Sequence, residues 1–210
     1  MNMLPFPENF IVVEGKDDEH VITHLLTKHN LQFPKIKNLE GYPNLRNSIS
    51  SYIKETGRCN FGIVADANND LQNRKKSIVN EIKKTNYFDI SKDNWCSNSI
   101  FCDTKRNLRV GIWLMPDNNS QGELEDFIFD MIPPDDPILP RAKKYINDIP
   151  NCERKFKPNK ITRAHVHAWL STLEKPRPMG SAITANNLSH DSPFARAFVK
   201  WFCELFHQKQ

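Results

Sequence analysis

The sequence predicts an α/β fold, with a mostly parallel sheet flanked by helices over residues 1–132 and a helical, basic extension packed on it over residues 133–210. Three observations predict it. Short apolar, β-branched runs alternate with stretches of helical periodicity, the pattern of βαβ units. The strand-like runs stop at the break Pro133-Pro134-Asp135-Asp136-Pro137. Beyond that break apolar residues recur at helical spacing alone.

Phe10-Ile11-Val12-Val13 reads as a short buried strand ending at Glu14-Gly15. From Asp17 to Lys28, Val21, Ile22, Leu25 and Leu26 recur at helical spacing, with Asp17, Asp18 and Glu19 enriching the first turn. Lys35 to Leu39 is a weaker strand, and Pro43 opens a helix over Leu45 to Lys54. Asn60 to Ala65 is the third strand, ending at Asp66; Leu71 to Thr85 is the helix after it. A polar, irregular stretch follows. Arg109 to Met115 is the fourth strand, stopped by Pro116-Asp117-Asn118-Asn119, and Gly122 to Met131 is a short helix. In the extension, helices are expected over Leu139 to Ile149, Ile161 to Leu173 and Phe194 to Phe206.

With 39% hydrophobic and 26% charged residues in 210, the composition is that of a globular domain able to form a core without staples. No run approaches the roughly 20 apolar residues of a membrane span. The early apolar run Phe10 to Val13 is too short for a secretory leader, so a soluble cytoplasmic protein is expected. Five cysteines (Cys59, Cys96, Cys102, Cys152, Cys203) are unevenly spaced without CxxC. Free, mostly buried thiols are expected, not a disulfide framework or a thiolate zinc site.

Charge is segregated. Gly111 to Pro140 holds seven acidic and no basic residues, a net of −7; Arg141 to Arg163 holds eight basic and two acidic, a net of +6. Such neighbours suit a cation site beside a surface for polyanions, and equally two solvated helical faces of opposite sign. The basic residues are Arg141, Lys143, Lys144, Arg154, Lys155, Lys157, Lys160 and Arg163.

Three acidic groupings follow three of the strands: Glu14-Gly15-Lys16-Asp17-Asp18, Asp66-Ala67-Asn68-Asn69-Asp70, and Glu123-Leu124-Glu125-Asp126. The carboxyl ends of parallel strands share one sheet edge, where ligands bind, so these distant groupings can converge. Carboxylates brought together raise one another's pKa unless a cation neutralises them. Oxygen ligands without histidine or thiolate select magnesium, manganese or calcium. Gly15 is expected to let the chain turn tightly after Glu14. Each grouping alone also reads as helix capping; their joint occurrence at strand ends favours a site.

A strand ending in Glu14-Gly15, a later strand ending in Asp66-Ala67-Asn68, and the pair Glu123 and Glu125 resemble the motifs of the Toprim fold over roughly Asn9 to Met131. That fold occurs in topoisomerases, bacterial primases, recombination mediator proteins and the nucleases of overcoming-lysogenisation-defect (OLD) ATPases. The sequence resembles the OLD-like branch most, and a small family of stand-alone Toprim-like proteins of unknown function. There the first motif has a second acid one turn on, matched by Asp18, and a lysine near the C-terminal side, matched by Lys175. Two departures stand out. Asn68 occupies a position where the strict motif has Asp, so that either Asp70 supplies the charge or a second cation binds weakly, and no topoisomerase-type tyrosine is evident.

The resemblance implies magnesium-dependent (or manganese-dependent) phosphodiester hydrolysis of DNA or RNA, with phage defence as a setting. Glu14 is then the base or first ligand, and Asp18, Asp66, Asn68, Asp70, Glu123 and Glu125 are metal-site residues. Lys175 offsets transition-state charge, and the basic segment contacts nucleic-acid phosphates. The alternative is a non-catalytic Toprim-like module that binds nucleic acid or a partner. The chain has no Walker-type motif, so any ATPase partner is a separate chain. His20 and His24 are four apart, but Val21 stands where a zinc-protease helix needs Glu, so surface histidines are expected. His165 and His167 fall on different helix faces, and Trp169 and Trp201 fall at core positions.

Overall fold

The computed structural model describes residues 9–56, 60–88, 95–97, 99–103 and 105–208. In chain order the elements are β1 (Phe10–Val13), α1 (Lys16–Lys28), β2 (Lys35–Asn38), α2 (Tyr42–Thr56), β3 (Phe61–Asp66) and α3 (Leu71–Lys83). Then come β4 (Trp95–Ser97), β5 (Ile100–Asp103), β6 (Leu108–Met115) and α4 (Leu124–Met131). The remainder is helical: α5 (Leu139–Asp148), a 3-10 turn at Pro158–Lys160, α6 (Ile161–Leu170), α7 (Met179–Thr184) and α8 (Pro193–Phe206).

The sheet order is β2-β1-β3-β6-β5-β4. β2, β1, β3 and β6 are mutually parallel, while β5 and β4 add an antiparallel edge. The fold is therefore α/β with a mostly parallel sheet, as expected from the sequence. Helices cover both faces, which is why β1 is apolar at every position. Period-2 alternation sends Ile11 and Val13 to one face and Phe10 and Val12 to the other. On the second face lie α2 and α3, through Leu45, Ile49, Ile53, Ile78 and Ile82. On the first lie α1 and α4 with the C-terminal helices, whose Val166, Trp169, Phe198 and Trp201 join the same cluster as Ile11 and Val64. Edge strand β2 carries Lys35 and Lys37 outward, which discourages further pairing.

The β4–β5 hairpin arm was not expected; Ile100–Asp103 lies in the stretch read as irregular. It is fixed by non-local pairing with β6 and by Asp103, whose Oδ1 accepts from the N–H groups of Lys105 (2.9 Å) and Arg106 (3.2 Å). Helix ends also differ. α6 stops at Leu170, where Ser171 and Thr172 hydroxyls donate to the Ala168 and Trp169 carbonyls (both 2.7 Å). α3 stops at Lys83, and the Thr85 hydroxyl donates to the Ile82 carbonyl. The cysteine expectation needs correction: Cys102 is disulfide-bonded, whereas Cys152 is free and exposed and Cys203 free and buried. Cys59 and the Cys96 side chain lie outside the described residues.

α7 was also unexpected, since it follows the proline-rich run Lys175-Pro176-Arg177-Pro178. Its stability comes from α1. Gly180 lies so close to α1 that a Cβ there would stand 2.7 Å from the His20 carbonyl oxygen and 2.8 Å from His20 Nδ1. Helix propensity alone favours alanine over glycine by about 1 kcal/mol, but the carbonyl cannot move aside without distorting α1. Gly180→Ala is therefore expected to destabilise the protein by roughly 1–3 kcal/mol, read as a lower urea midpoint at unchanged slope.

Candidate functional site

Glu14 leaves the end of β1 and Asp66 ends β3. Asp18 lies in the first turn of α1, and Glu123 and Glu125 lie at the start of α4. The parallel register puts these ends on one edge, and a cavity of about 530 Å³ opens there, lined by Glu14, Gly15, Asp18, Asp66, Glu125 and Arg163, among others. Local hydrogen bonds fix the acids. The Gly15 N–H donates to Asp18 Oδ2 (2.9 Å), and the Asp66 N–H donates to Glu14 Oε2 (3.3 Å). Asp66 Oδ1 accepts the Leu124 N–H (2.9 Å), tying β3 to the first turn of α4.

The expected glycine role shifts from one residue to another. Gly15 is extended (φ −138°) and needs no special freedom, although a Cβ would press on Asp18 Oδ2 at 3.2 Å. Gly122 is the demanding position. Its φ is +148°, and a Cβ would meet Asp126 Oδ2 at 2.7 Å. From there Gly122 exchanges two backbone hydrogen bonds with Asn68 (2.7 and 2.9 Å), clasping the end of β3 to the start of α4.

Burial and crowding raise the pKa values of Asp66, Asp18 and Glu14. The Asp66 carboxyl is pushed up to about 8, first by desolvation and then by Asp18, Glu14, Glu123 and Glu125. Asp18 is pushed up to about 7, first by desolvation, against the opposing Gly15 N–H. Glu14 is raised as well, chiefly by burial, with Arg74 opposing. Asp18 Oδ1 and Glu125 Oε2 are buried with no hydrogen-bond partner among the described residues. Two cations from the extension enter the cluster. Lys160 Nζ donates to Glu123 Oε1, and Arg163 Nε donates to Glu125 Oε1 at 2.5 Å.

Several expected site residues lie elsewhere. Asn68 adopts the left-handed region (φ 53°). Its amide bridges two charges, the nitrogen donating to Glu123 Oε1 (2.9 Å) and the oxygen accepting from Arg74 (2.6 Å). Asp70 caps α3, accepting the Asn73 N–H at 2.9 Å, and lines a separate cavity with Asn68. The capping reading holds for it. Lys175 is exposed and does not line the acidic cavity; the cations there are Lys160 and Arg163.

Of the other basic residues, Arg141, Lys155 and Lys157 are exposed, and Lys144 pairs with Asp148 (2.5 Å). Lys143 lies over Phe129, and Arg154 donates to the Ile149 and Asn147 carbonyls. His20 and His24 are half-buried, not on the surface as expected. Their Nε2 atoms are 2.9 Å apart, and His24 Nδ1 meets Thr184 Oγ1. His165 is buried and bonded to Asn147 Oδ1, whereas His167 is exposed. Trp169 and Trp201 are buried in the core.

The sequence reading missed three further contributors. Arg74 stacks on Tyr42 (3.5 Å to the ring centroid) while bonding Asn68. Asn38 and Gly41, after β2, complete the cavity wall, and the Gly41 N–H donates to the Glu14 carbonyl at 2.7 Å. The turn Glu40-Gly41, with φ of 56° and 117°, was the available signal.

Among the described residues no three His, Cys, Asp or Glu side chains already form a metal cage. The donor set nonetheless fits a hard divalent cation. Carboxylates dominate the ligating groups that line the cavity, two of their oxygens are buried without partners among the described residues, and Asp18 and Asp66 carry raised pKa values that a cation would lower.

Fold and site together define an α/β protein with a crowded carboxylate pocket at the carboxyl edge of its parallel strands. Residues 8–207 match the family described as protein of unknown function DUF3226, and the chain belongs to that family. No curated protein and no solved structure matches it. Among the described residues no helix is long and apolar enough to cross a membrane.

The raised pKa values carry a stability signature. Native Asp66 and Asp18 keep protons up to about pH 8 and 7, whereas the unfolded chain releases them near 3.8. Between those limits the native state binds more protons, so stability falls as pH rises from about 4 to 8. Asp66→Asn keeps the Oδ1 acceptor and removes the charge. In chelator at pH 8.5 it is expected to raise stability by roughly 1–3 kcal/mol, with the difference vanishing near pH 4 in denaturant titrations.

Proposed function

We propose that the protein is a Toprim-like, magnesium-dependent nuclease that hydrolyses phosphodiester bonds in DNA or RNA. The observation that carries this reading is the convergence of Glu14, Asp18, Asp66 and Glu125 on one cavity, with two of their oxygens buried and without a hydrogen-bond partner among the described residues. Glu14, Asp18, Asp66 and Glu125 would hold the cation (magnesium, or manganese in its place). When bound, such an ion polarises the phosphoryl group and lowers the pKa of a water. Glu14, raised by burial and half-buried at the cavity wall, is suited to take a proton from an attacking water. Arg163 lines the cavity with its side chain 50% exposed, so it can meet a phosphate oxygen while holding Glu125. Exposed Arg141, Lys155 and Lys157 are available for phosphate contacts without base readout.

A second reading is a non-catalytic module that binds nucleic acid or a partner, working with an ATPase on a separate chain. It is favoured by Asn68 in the middle motif and by Lys160 and Arg163, which already neutralise Glu123 and Glu125. One assay separates the two. Wild type, Glu14→Ala and Asp66→Ala are incubated with DNA or RNA plus magnesium or manganese at several salt concentrations. The nuclease reading expects metal-dependent cleavage by wild type that falls roughly 100-fold or more in both variants. Retained binding without cleavage by wild type supports the module instead.

A further inference from the structure

His20 and His24 take no part in lining the acidic pocket. They stand one turn apart in the middle of α1, so both side chains leave the same face of that helix. Their Nε2 atoms are 2.9 Å apart and their ring planes lie at 81°, so the rings meet through their nitrogens and do not stack. A contact this short needs a lone pair on one of the two nitrogens, and the imidazoles are therefore not both protonated. The contact is only partly buried, and the neighbouring contact from His24 to Thr184 lies at the surface. The pair is thus open to an ion from solvent.

Helix α7 holds both rings in place. A Cβ at Gly180 would stand 2.8 Å from His20 Nδ1 and 2.8 Å from His24 Cδ2, so the α7 backbone lies against the two imidazoles and leaves them no room to swing toward it. One turn further along α7, Thr184 Oγ1 stands 2.5 Å from His24 Nδ1. By accepting the Nδ1 proton, that oxygen leaves the His24 lone pair on Nε2, the role that outer partners of metal-bound histidines play. Distance then bears on the choice of ion. Imidazole nitrogens bind late first-row divalent ions at about 2.0–2.1 Å, so two of them stand about 2.9 Å apart at a right angle and about 3.3 Å apart at a tetrahedral one. The 2.9 Å between His20 and His24 matches the right angle of nickel and copper sites, and a small opening of the pair reaches the zinc tetrahedron.

We propose that His20 and His24 form a binding site for a late first-row divalent ion (nickel, copper or zinc), held between the two Nε2 atoms. Thr184 positions His24, and the remaining coordination positions are open to water or to a ligand from outside the chain. In the free pair one Nε2 carries a proton and donates it to the other. With Thr184 accepting from His24, that proton belongs to His20, and coordination moves it through solvent to Nδ1 of the same ring. The neutral pair therefore takes up the ion without net proton release. This site is independent of the acidic pocket and of the function proposed for it, because imidazole and carboxylate select different classes of ion.

Isothermal titration calorimetry of the full chain tests it. Nickel and zinc are titrated separately, at a pH above the histidine range and in excess magnesium, which competes for carboxylates and not for imidazole. The expected result is a saturable isotherm with one ion per chain, and a thermal midpoint that rises with ion concentration. Alanine suits the middle of a helix, so His20→Ala and His24→Ala should keep the wild-type circular dichroism. Each should bind at least about tenfold more weakly, and Thr184→Val should weaken binding by a smaller factor. The proposal is overturned if wild type shows no saturable binding of either ion. It is equally overturned if the folded His20→Ala/His24→Ala double variant binds as tightly as wild type, which leaves the contact a hydrogen bond between two rings.

Discussion

Like charges brought to one sheet edge must be neutralised, and much of this molecule is arranged around that requirement. Glu14, Asp18, Asp66, Glu123 and Glu125 approach one another because the strands that deliver them are parallel and adjacent in the order β1-β3-β6. Water is partly excluded there, so repulsion is felt at low effective dielectric. The chain meets the cost in two ways. Protons are retained on Asp18 and Asp66, and Lys160 and Arg163 reach in from the C-terminal helices. The extension is thereby joined to the site electrostatically as well as through the apolar cluster that contains Val166, Trp169 and Phe198.

This pairing changes the meaning of the charge segregation in the sequence. An acidic block next to a basic block suits a cation site beside a polyanion surface, and it equally suits internal compensation. The structure shows internal compensation for part of the basic block. Lys160 and Arg163 turn inward to the carboxylates, while Arg141, Lys155 and Lys157 stay exposed. Arg163 engages Glu125 Oε1 and leaves Glu125 Oε2 without a partner among the described residues.

The backbone clasp between Asn68 and Gly122 gives the amide at this position a structural role. Asn68 holds a left-handed conformation that asparagine adopts more readily than most residues. Its side chain then joins Arg74 to Glu123, orienting a carboxylate from outside the cavity. A carboxylate at this position would face Glu123 and add repulsion where the amide donates a hydrogen bond.

Local pattern determined a good deal of this protein. The apolar runs at Phe10, Asn60 and Arg109, the periodicity of α1, α3 and α8, and the three acidic strand ends are properties of short segments, legible because burial on both sheet faces demands them. That Glu14, Asp18, Asp66 and Glu125 belong together followed from one topological rule about parallel strands. What the sequence could not show were contacts between distant segments. β5 is a strand because β6 pairs with it, and α7 is a helix because Gly180 lets it lie against His20. Lys160 and Arg163, not Lys175, accompany the carboxylates because the C-terminal helices pack on the α1 and α4 side of the sheet. Side-chain partners across more than 30 positions depend on how whole elements pack, and no local signal encodes that. The acidic site is thus written in the sequence as a set of residues, and its counter-ions only in the tertiary structure.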